Sequence, residues 1–359
     1  MDFFCHPNPT LRNPDKKYSQ WSELESFTLP WQVNRVNVHL IDHKLVKPCL
    51  SMSRAIDLMR SAYRSLSAGE VDSPLRTALT NKNGTILYKP AYSDDSQIFC
   101  VKVVSVFPDN AKKGLPVTPG VIILNSAETG LPLAILEAGY LTSLRTGAAT
   151  GIATELFADP DSKVGALFGT GGQARHQLEA MLCARKFETI HVFSRNPRNA
   201  QRFCDEAADL AGHCRLIPNS DRSVLKDCDV ITTATTSPTA VIKDDEISNR
   251  VHINAVGSLG VSHTEVSAET LLRSHVIVDQ RTACLKEAGE ICLMREAGLI
   301  DENYHPVEIG EIISRKVILE NRDRPTVFKS VGNAAQDLVC SAEIFRHVLE
   351  KGLGIEAEL

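Results

Sequence analysis

Gly169-Thr170-Gly171-Gly172-Gln173-Ala174 follows directly on the short apolar run Val164 to Phe168 and opens a helical pattern from Gln173 to Lys186. No other segment of the chain restricts its fold as strongly. The spacing is G-x-G-x-x-A, and each position has a physical reason. Gly169 permits a tight strand-to-helix turn, Gly171 lets the backbone approach a pyrophosphate, and the small Ala174 allows helix and strand to pack closely. The helix N-terminus then supplies free N–H groups and a positive dipole end to an anion. A glycine run by itself is compatible with a purely structural turn, but this one sits in a β-α-β series. Thr189 to Phe193 reads as a strand and Asn199 to Ala211 as a helix. Further strands are expected at Asp229 to Ala234, Val251 to Val256 and His275 to Asp279. Strands alternating with helices predict a doubly wound parallel sheet, here a Rossmann-type dinucleotide site.

The next strand end selects the dinucleotide. An acidic residue there would bond a ribose 2′-hydroxyl and repel a 2′-phosphate. This chain instead reads Phe193-Ser194-Arg195-Asn196-Pro197-Arg198. A hydroxyl and two arginines suit a phosphate dianion through charge-assisted hydrogen bonds. NADP(H) is therefore the expected cofactor, with NAD(H) the alternative. The cofactor contacts are assigned to Gly169, Thr170, Gly171, Gly172, Gln173, Ser194, Arg195, Asn196 and Arg198. The competing reading of Arg195 and Arg198 is a pair of solvated charges at a helix start.

Outside this series the pattern differs. The first 35 residues are polar, proline-dotted and aperiodic, and read as an irregular extension. Val36 to Ile41 alternates like a strand. Ile56, Met59, Tyr63 and Leu66 recur at helical spacing, with Ser53 as the expected cap and Gly69 as the stop. From Pro74 to about Pro132 come short β-rich runs, at Thr85 to Tyr88, Ile98 to Phe107 and Val121 to Leu124. Another strand is expected at Leu131 to Leu136, and a last helix at Gly332 to Leu349. This part reads as α+β with an antiparallel or mixed sheet. A net charge of −5 offers no electrostatic footprint for nucleic acid or anionic membrane. No apolar run is long enough to span a bilayer, and Met1 to Asn13 lacks a basic stretch followed by an apolar one, so a cytoplasmic protein is expected. The 10 cysteines form no C-x-x-C pair and are scattered, which predicts free thiols, a reducing compartment and no metal site.

Several further segments occur in a recognisable order. They are Val101-Lys102-Val103-Val104, Gly114-Leu115-Pro116, Arg145-Thr146-Gly147-Ala148-Ala149 and the Gly169 loop. After it come His252-Ile253-Asn254-Ala255-Val256-Gly257, Lys286-Glu287-Ala288-Gly289-Glu290, Phe328-Lys329-Ser330-Val331-Gly332 and Gln336-Asp337. In these the chain resembles the ornithine cyclodeaminase/mu-crystallin family from about residue 50 to 350. The resemblance implies a Rossmann domain, residues 145–325, inserted into a substrate-binding and dimerisation domain formed by residues 36–144 and 326–359, and hence a homodimer. It implies that Arg76, Lys102 and Arg145 hold a substrate α-carboxylate, a task suited to fixed cations and to the planar fork of arginine. It also extends the cofactor contacts to Thr118, Arg145, Thr146, Thr235, Val256, Lys329 and Gly332. Lys102 could in addition deliver a proton if burial lowers its pKa. The bland alternative for each cation is a surface ion pair.

Departures from the family pattern narrow the chemistry. Cyclodeaminases of the family carry an acidic residue after the Asn-Ala-Val-Gly turn and a second one in the third strand. Here those positions fall on Leu259, with Ser258 beside it as a polar contact, and on Leu87. A leucine can neither take a proton nor hold an ammonium group. Lys89 is an extra cation that would meet a second acidic group if it faced the pocket, although a solvated strand-edge lysine is the simpler expectation. His263 is a candidate acid or base on a loop, and Glu265 is expected to start the next helix. The reading is an NADPH-dependent reductase of a C=N bond alpha to a carboxylate, such as 1-pyrroline-2-carboxylate or 1-piperideine-2-carboxylate, acting on a small imine or amino acid. The alternatives are an NAD-dependent ornithine or lysine cyclodeaminase, an alanine or N-substituted amino-acid dehydrogenase, and a non-catalytic binding protein.

Overall fold

The computed structural model describes residues 36–257, 260–319 and 323–359. The expected extension, residues 1–35, lies outside them, as do Ser258 and Leu259. Two sheets organise the described chain. The first contains β1 (Asn37–Ile41), β2 (Val71–Asp72), β3 (Thr77–Asn81), β4 (Gly84–Ser93), β5 (Ile98–Val106), β6 (Gly120–Ser126) and β7 (Pro132–Glu137). The parallel series then runs β8 (Val164–Phe168), β9 (Thr189–Phe193), β10 (Arg215–Asn219), β11 (Val230–Thr233), β12 (His252–Ala255), β13 (His275–Val278), β14 (Val307–Glu308) and β15 (Thr326–Lys329). Finally β16 (Ile355–Glu358) returns to the first sheet, where it pairs antiparallel with β1.

The first sheet has the order β16-β1-β7-β6-β5-β4-β2, with β3 also on β4, and is mixed because β1 and β7 run parallel. Its strands alternate in burial, as period-2 patterning requires when one face is packed. The packed face carries Leu87, Lys89 and Ala91 on β4, and Cys100, Lys102 and Val104 on β5. Against it lie α1 (His43–Cys49), α2 (Met52–Ala68) and, from the far end of the chain, the last helix. α2 is capped by Ser51 rather than Ser53: the Ser51 side chain accepts from the Arg54 N–H, which puts Ser53 inside the first turn. Gly69 ends it in the left-handed region, as expected.

α3 (Gly139–Phe157) has no periodic signature in the sequence, because it is buried on almost every side between α2 and the next helix. A helix apolar all round shows no amphipathic stripe. Then come α4 (Ala174–Ala184), α5 (Pro197–Glu206), α6 (Ala208–Ala211), α7 (Ala268–Arg273), α8 (Arg281–Glu287), α9 (Gly289–Glu296), α10 (Ile309–Ile313) and α11 (Ala334–Lys351). The parallel sheet has the order β10-β9-β8-β11-β12-β15-β13-β14. Its direction of growth reverses between β8 and β11, which is the topological switch point where open α/β sheets bind ligands. β15 pairs with both β12 and β13, so Thr326 to Lys329 belong to the parallel sheet and not to the returning segment. The short run TVFK carries too little periodicity to announce that strand.

Candidate active site

The loop after β8 has the geometry its sequence demands. Gly169 has φ +102, and a Cβ there would meet the Ala234 carbonyl oxygen, at the end of β11, at 2.3 Å. Only glycine fits between the two strand ends at the switch point. Gly171 and Gly172 face the opposite situation: they are exposed, with no atom within 4 Å of where a Cβ would stand. That open backbone before α4 is a cradle for a phosphate. Thr170 Oγ1 donates to Ser194 Oγ at 3.3 Å, tying the loop to the end of β9. Asn196 caps α5, its Oδ1 accepting from the Arg198 N–H at 3.1 Å. Arg195 and Arg198 are exposed and pair with no carboxylate among the described residues. The donor set therefore fits a dinucleotide at the strand ends.

The remaining expected cofactor residues divide. Thr235 follows β11, and its N–H and hydroxyl are both held by Glu265 Oε1, at 2.7 and 2.9 Å. Glu265 Oε2 accepts from the Gly257 N–H at 2.7 Å. Glu265 is thus a fully buried anchor of the loops that follow β11 and β12, not a helix start; Ser267 caps α7 instead. Val256 lies half-buried at the end of β12, and Thr118 is exposed before β6. Thr146 is buried in α3 with its hydroxyl on the Thr142 carbonyl. The ammonium of Lys329, another expected cofactor contact, is enclosed with Glu290, 3.1 Å away. Burial would pull its pKa down, while Glu290 and Glu265 outweigh that and raise it.

Where β15 ends, four cations converge. Lys89 and Lys102 are directly opposite each other on β4 and β5, on the packed face. Lys102 Nζ lies 2.7 Å from Asp337 Oδ1 and donates to Thr142 Oγ1 at 3.2 Å. Arg145, on α3, donates from Nε to the same Asp337 oxygen at 3.1 Å and from Nη1 to Gln336 Oε1 at 3.0 Å. Lys89 Nζ is 3.7 Å from Asp337 Oδ2 and donates to the Gly332 carbonyl at 3.2 Å. Arg76, just before β3, donates to the carbonyls of Val331 and Gly332 at 2.9 and 2.8 Å and pairs with Glu287. Gly332 has φ +72, and a Cβ there would collide with the Arg145 guanidinium. Asp279 fixes this turn by accepting from the Gly332 N–H and Ser330 Oγ, both at 2.7 Å.

Burial governs the charges. Lys102 is 1% exposed, and desolvation, aided by Arg145, lowers its pKa to about 8 despite Asp337. Lys89 is 4% exposed and is pushed well below the usual lysine range by burial and by Lys102. Burial would raise the Asp337 carboxyl, but Lys102, Arg145 and Lys89 together hold it well below the usual carboxylate range.

So Lys89 is no solvated strand-edge lysine: its side chain is buried and its ammonium faces the cluster. Leu87 is buried on the same face, opposite Val104. His263 is half-buried, and its described side-chain partner is the neighbouring Ser262 hydroxyl. None of its described contacts reaches the cations. Asp337, Gln336, Asp279 and Glu265 carry the internal bonding of the site, and none had been assigned a role there. Their signal was a set of polar side chains on otherwise apolar faces.

The profile of the ornithine cyclodeaminase/mu-crystallin family matches residues 37–352. The chain belongs to that family. Among relatives, the Delta(1)-pyrroline-2-carboxylate reductase of Bacillus thuringiensis subsp. konkukian is 32% identical over 313 residues, covering 86% of this chain and 96% of its own. The Delta(1)-pyrroline-2-carboxylate reductase of Thermococcus litoralis, solved with NADH and L-proline, is 36% identical with a TM-score of 0.85, covering 89% of this chain and 100% of that one. An archaeal alanine dehydrogenase dimer with bound NAD is 30% identical with a TM-score of 0.84, covering 89% and 99% of the two chains.

Proposed function

We propose that the chain is an NADPH-dependent reductase of a C=N bond alpha to a carboxylate, with small cyclic imines such as 1-pyrroline-2-carboxylate or 1-piperideine-2-carboxylate as substrates. The carrying observation is the convergence of Arg76, Lys102 and Arg145, all buried, on Asp337 and the Gly332 carbonyl. Such fixed donors match a small carboxylate, and burial strengthens their hold on it. The relatives that reduce pyrroline-2-carboxylate support the same reaction.

A bound nicotinamide supplies the two-electron reduction. The protein's part is positional: Arg76 and Arg145 fix the carboxylate, which sets the imine carbon in one orientation near the strand ends. Lys102, with its pKa lowered to about 8, can give a proton to the imine nitrogen as the carbon is reduced. Leu87 offers no acid where cyclodeamination calls for one, which favours reduction. The unpaired Arg195 and Arg198 favour NADPH over NADH. Phe99, Val101, Val103, Val121, Ile123 and Ile135, along the less buried face of the first sheet, supply an apolar surface for a homodimer. The free thiols among the described residues suit a reducing cytoplasm.

The test is oxidation of NADPH by purified protein with 1-pyrroline-2-carboxylate, 1-piperideine-2-carboxylate, or pyruvate plus amines. Turnover supports the proposal, and absence of turnover across that panel overturns it.

A further inference from the structure

Four basic side chains meet around Asp337, and the carboxylates there do not hold all of them equally. Arg76, Lys89, Lys102 and Arg145 face it, and the carboxylates that pair with them are Asp337 and Glu287. Asp279 stands nearby, but its oxygens are engaged by the Gly332 and Gln280 N–H groups, Ser330 Oγ and Cys284 Sγ. A buried basic side chain with no carboxylate in hydrogen-bond distance is informative, because burial favours its neutral form until an anion arrives.

Lys89 is that side chain. Its ammonium is enclosed, stands opposite Lys102, and shares the Gly332 carbonyl with Arg76. Asp337 Oδ2, the carboxylate oxygen nearest to it at 3.7 Å, makes no hydrogen bond. Lys102 and Arg145 by contrast both bond Asp337 Oδ1 directly. We propose that Lys89 receives a second carboxylate of the substrate, so that the imine reduced here is derived from a dicarboxylic 2-oxo acid. This deepens the reductase reading and rests on it. The step balances as before: the 2-oxo acid and an amine lose water to give the imine, NADPH reduces the imine carbon and becomes NADP⁺, and the nitrogen gains a proton.

The experiment compares 2-oxoglutarate and oxaloacetate with pyruvate and 2-oxobutyrate, each with methylamine and NADPH. The expected result is a kcat/KM at least about 10-fold higher for the dicarboxylic acids, with that ratio falling about 10- to 100-fold in Lys89→Met, the range of a charge-assisted hydrogen bond. Lys89→Arg restores part of the preference, which separates charge recognition from loss of packing. Turnover of the monocarboxylic acids with no dicarboxylic preference, or a ratio unmoved by Lys89→Met, overturns the inference and leaves the reductase standing. If no acid is turned over, the cyclic imines still decide the reductase reading, and titration calorimetry of 2-oxoglutarate against pyruvate on the NADP⁺-loaded protein decides the subsite. Tighter 2-oxoglutarate binding that Lys89→Met abolishes supports it; equal binding overturns it.

Discussion

Lys102 and Asp337 meet at 2.7 Å across 235 residues of sequence, one on a sheet strand and the other on the first turn of α11, both sealed from solvent. Their contact joins the first sheet to the turn that leaves the parallel sheet. Because the pair is buried, the pKa values of both members are lowered, and each makes stability rise with pH in its own window.

In the folded protein the Lys102 ammonium gives up its proton at about 8, against 10.5 for an ordinary lysine. Between those values the unfolded chain binds more protons, so stability rises with pH across that window. Below the lower value both states are protonated and the contribution is constant. Lys102→Met is expected to flatten the rise, which is of the order of 3 kcal/mol. Urea unfolding at pH 7.5 and 10 on both proteins measures it. A rise of equal size in the variant contradicts the assignment. In wild type, kcat/KM should fall above about pH 8 as this donor is lost.

Asp337→Asn removes the charge that neutralises Lys102, Arg145 and Lys89 while keeping the shape of the side chain. Breaking a buried pair on one side costs about 3–5 kcal/mol. The expected result is a melting temperature lower by roughly 5–10 °C. The carboxyl is held below its ordinary range, so the stability it contributes in wild type is present at neutral pH and lost on acidification. The loss of stability between about pH 5 and 2, read from urea unfolding, should therefore be smaller in Asp337→Asn than in wild type, from a lower starting value at neutral pH.

Arg195→Ala combined with Arg198→Ala tests the dinucleotide preference. Both residues are exposed, so the fold should be unaffected within about 0.5 kcal/mol. If they hold a 2′-phosphate, KM for NADPH rises about 10- to 100-fold while that for NADH changes little. Steady-state kinetics with both cofactors measures this, and a parallel change for the two would show that the arginines act only on the shared diphosphate.

The sequence exposed β8, β9, β11, β12 and β13, because buried parallel strands are apolar runs, but not β10, a half-exposed edge strand, nor the two- and four-residue strands β14 and β15. Arg76, Lys102 and Arg145 were legible through the resemblance, and the structure brings them together. What stayed hidden has physical causes. α3 is buried on almost every side, so its length left no period. Asp337 and Glu265 look like ordinary surface acids until the packing of distant segments encloses them. Lys89 sits in a strand whose neighbours on both sides decide whether a lysine is an edge residue or a buried one, and pairing across the sheet is not written in local pattern.

Gly169 and Gly171 in the loop after β8 should respond differently to the same added methyl group. Gly169→Ala puts a Cβ at 2.3 Å from the Ala234 carbonyl in a backbone with φ +102, so strand ends must move apart. A loss of about 2 kcal/mol or more is expected from strain and collision together, seen as a lower melting temperature in the absence of any cofactor. Gly171→Ala meets no atom within 4 Å and should melt within about 1–2 °C of wild type. Its cost should fall on binding, because the methyl group occupies the space where backbone approaches a diphosphate. Fluorescence titration with NADPH should then show a dissociation constant raised at least about 10-fold in Gly171→Ala. Equal melting temperatures for the two variants would remove the close β8–β11 contact from the account, and unchanged NADPH binding by Gly171→Ala would remove the cradle.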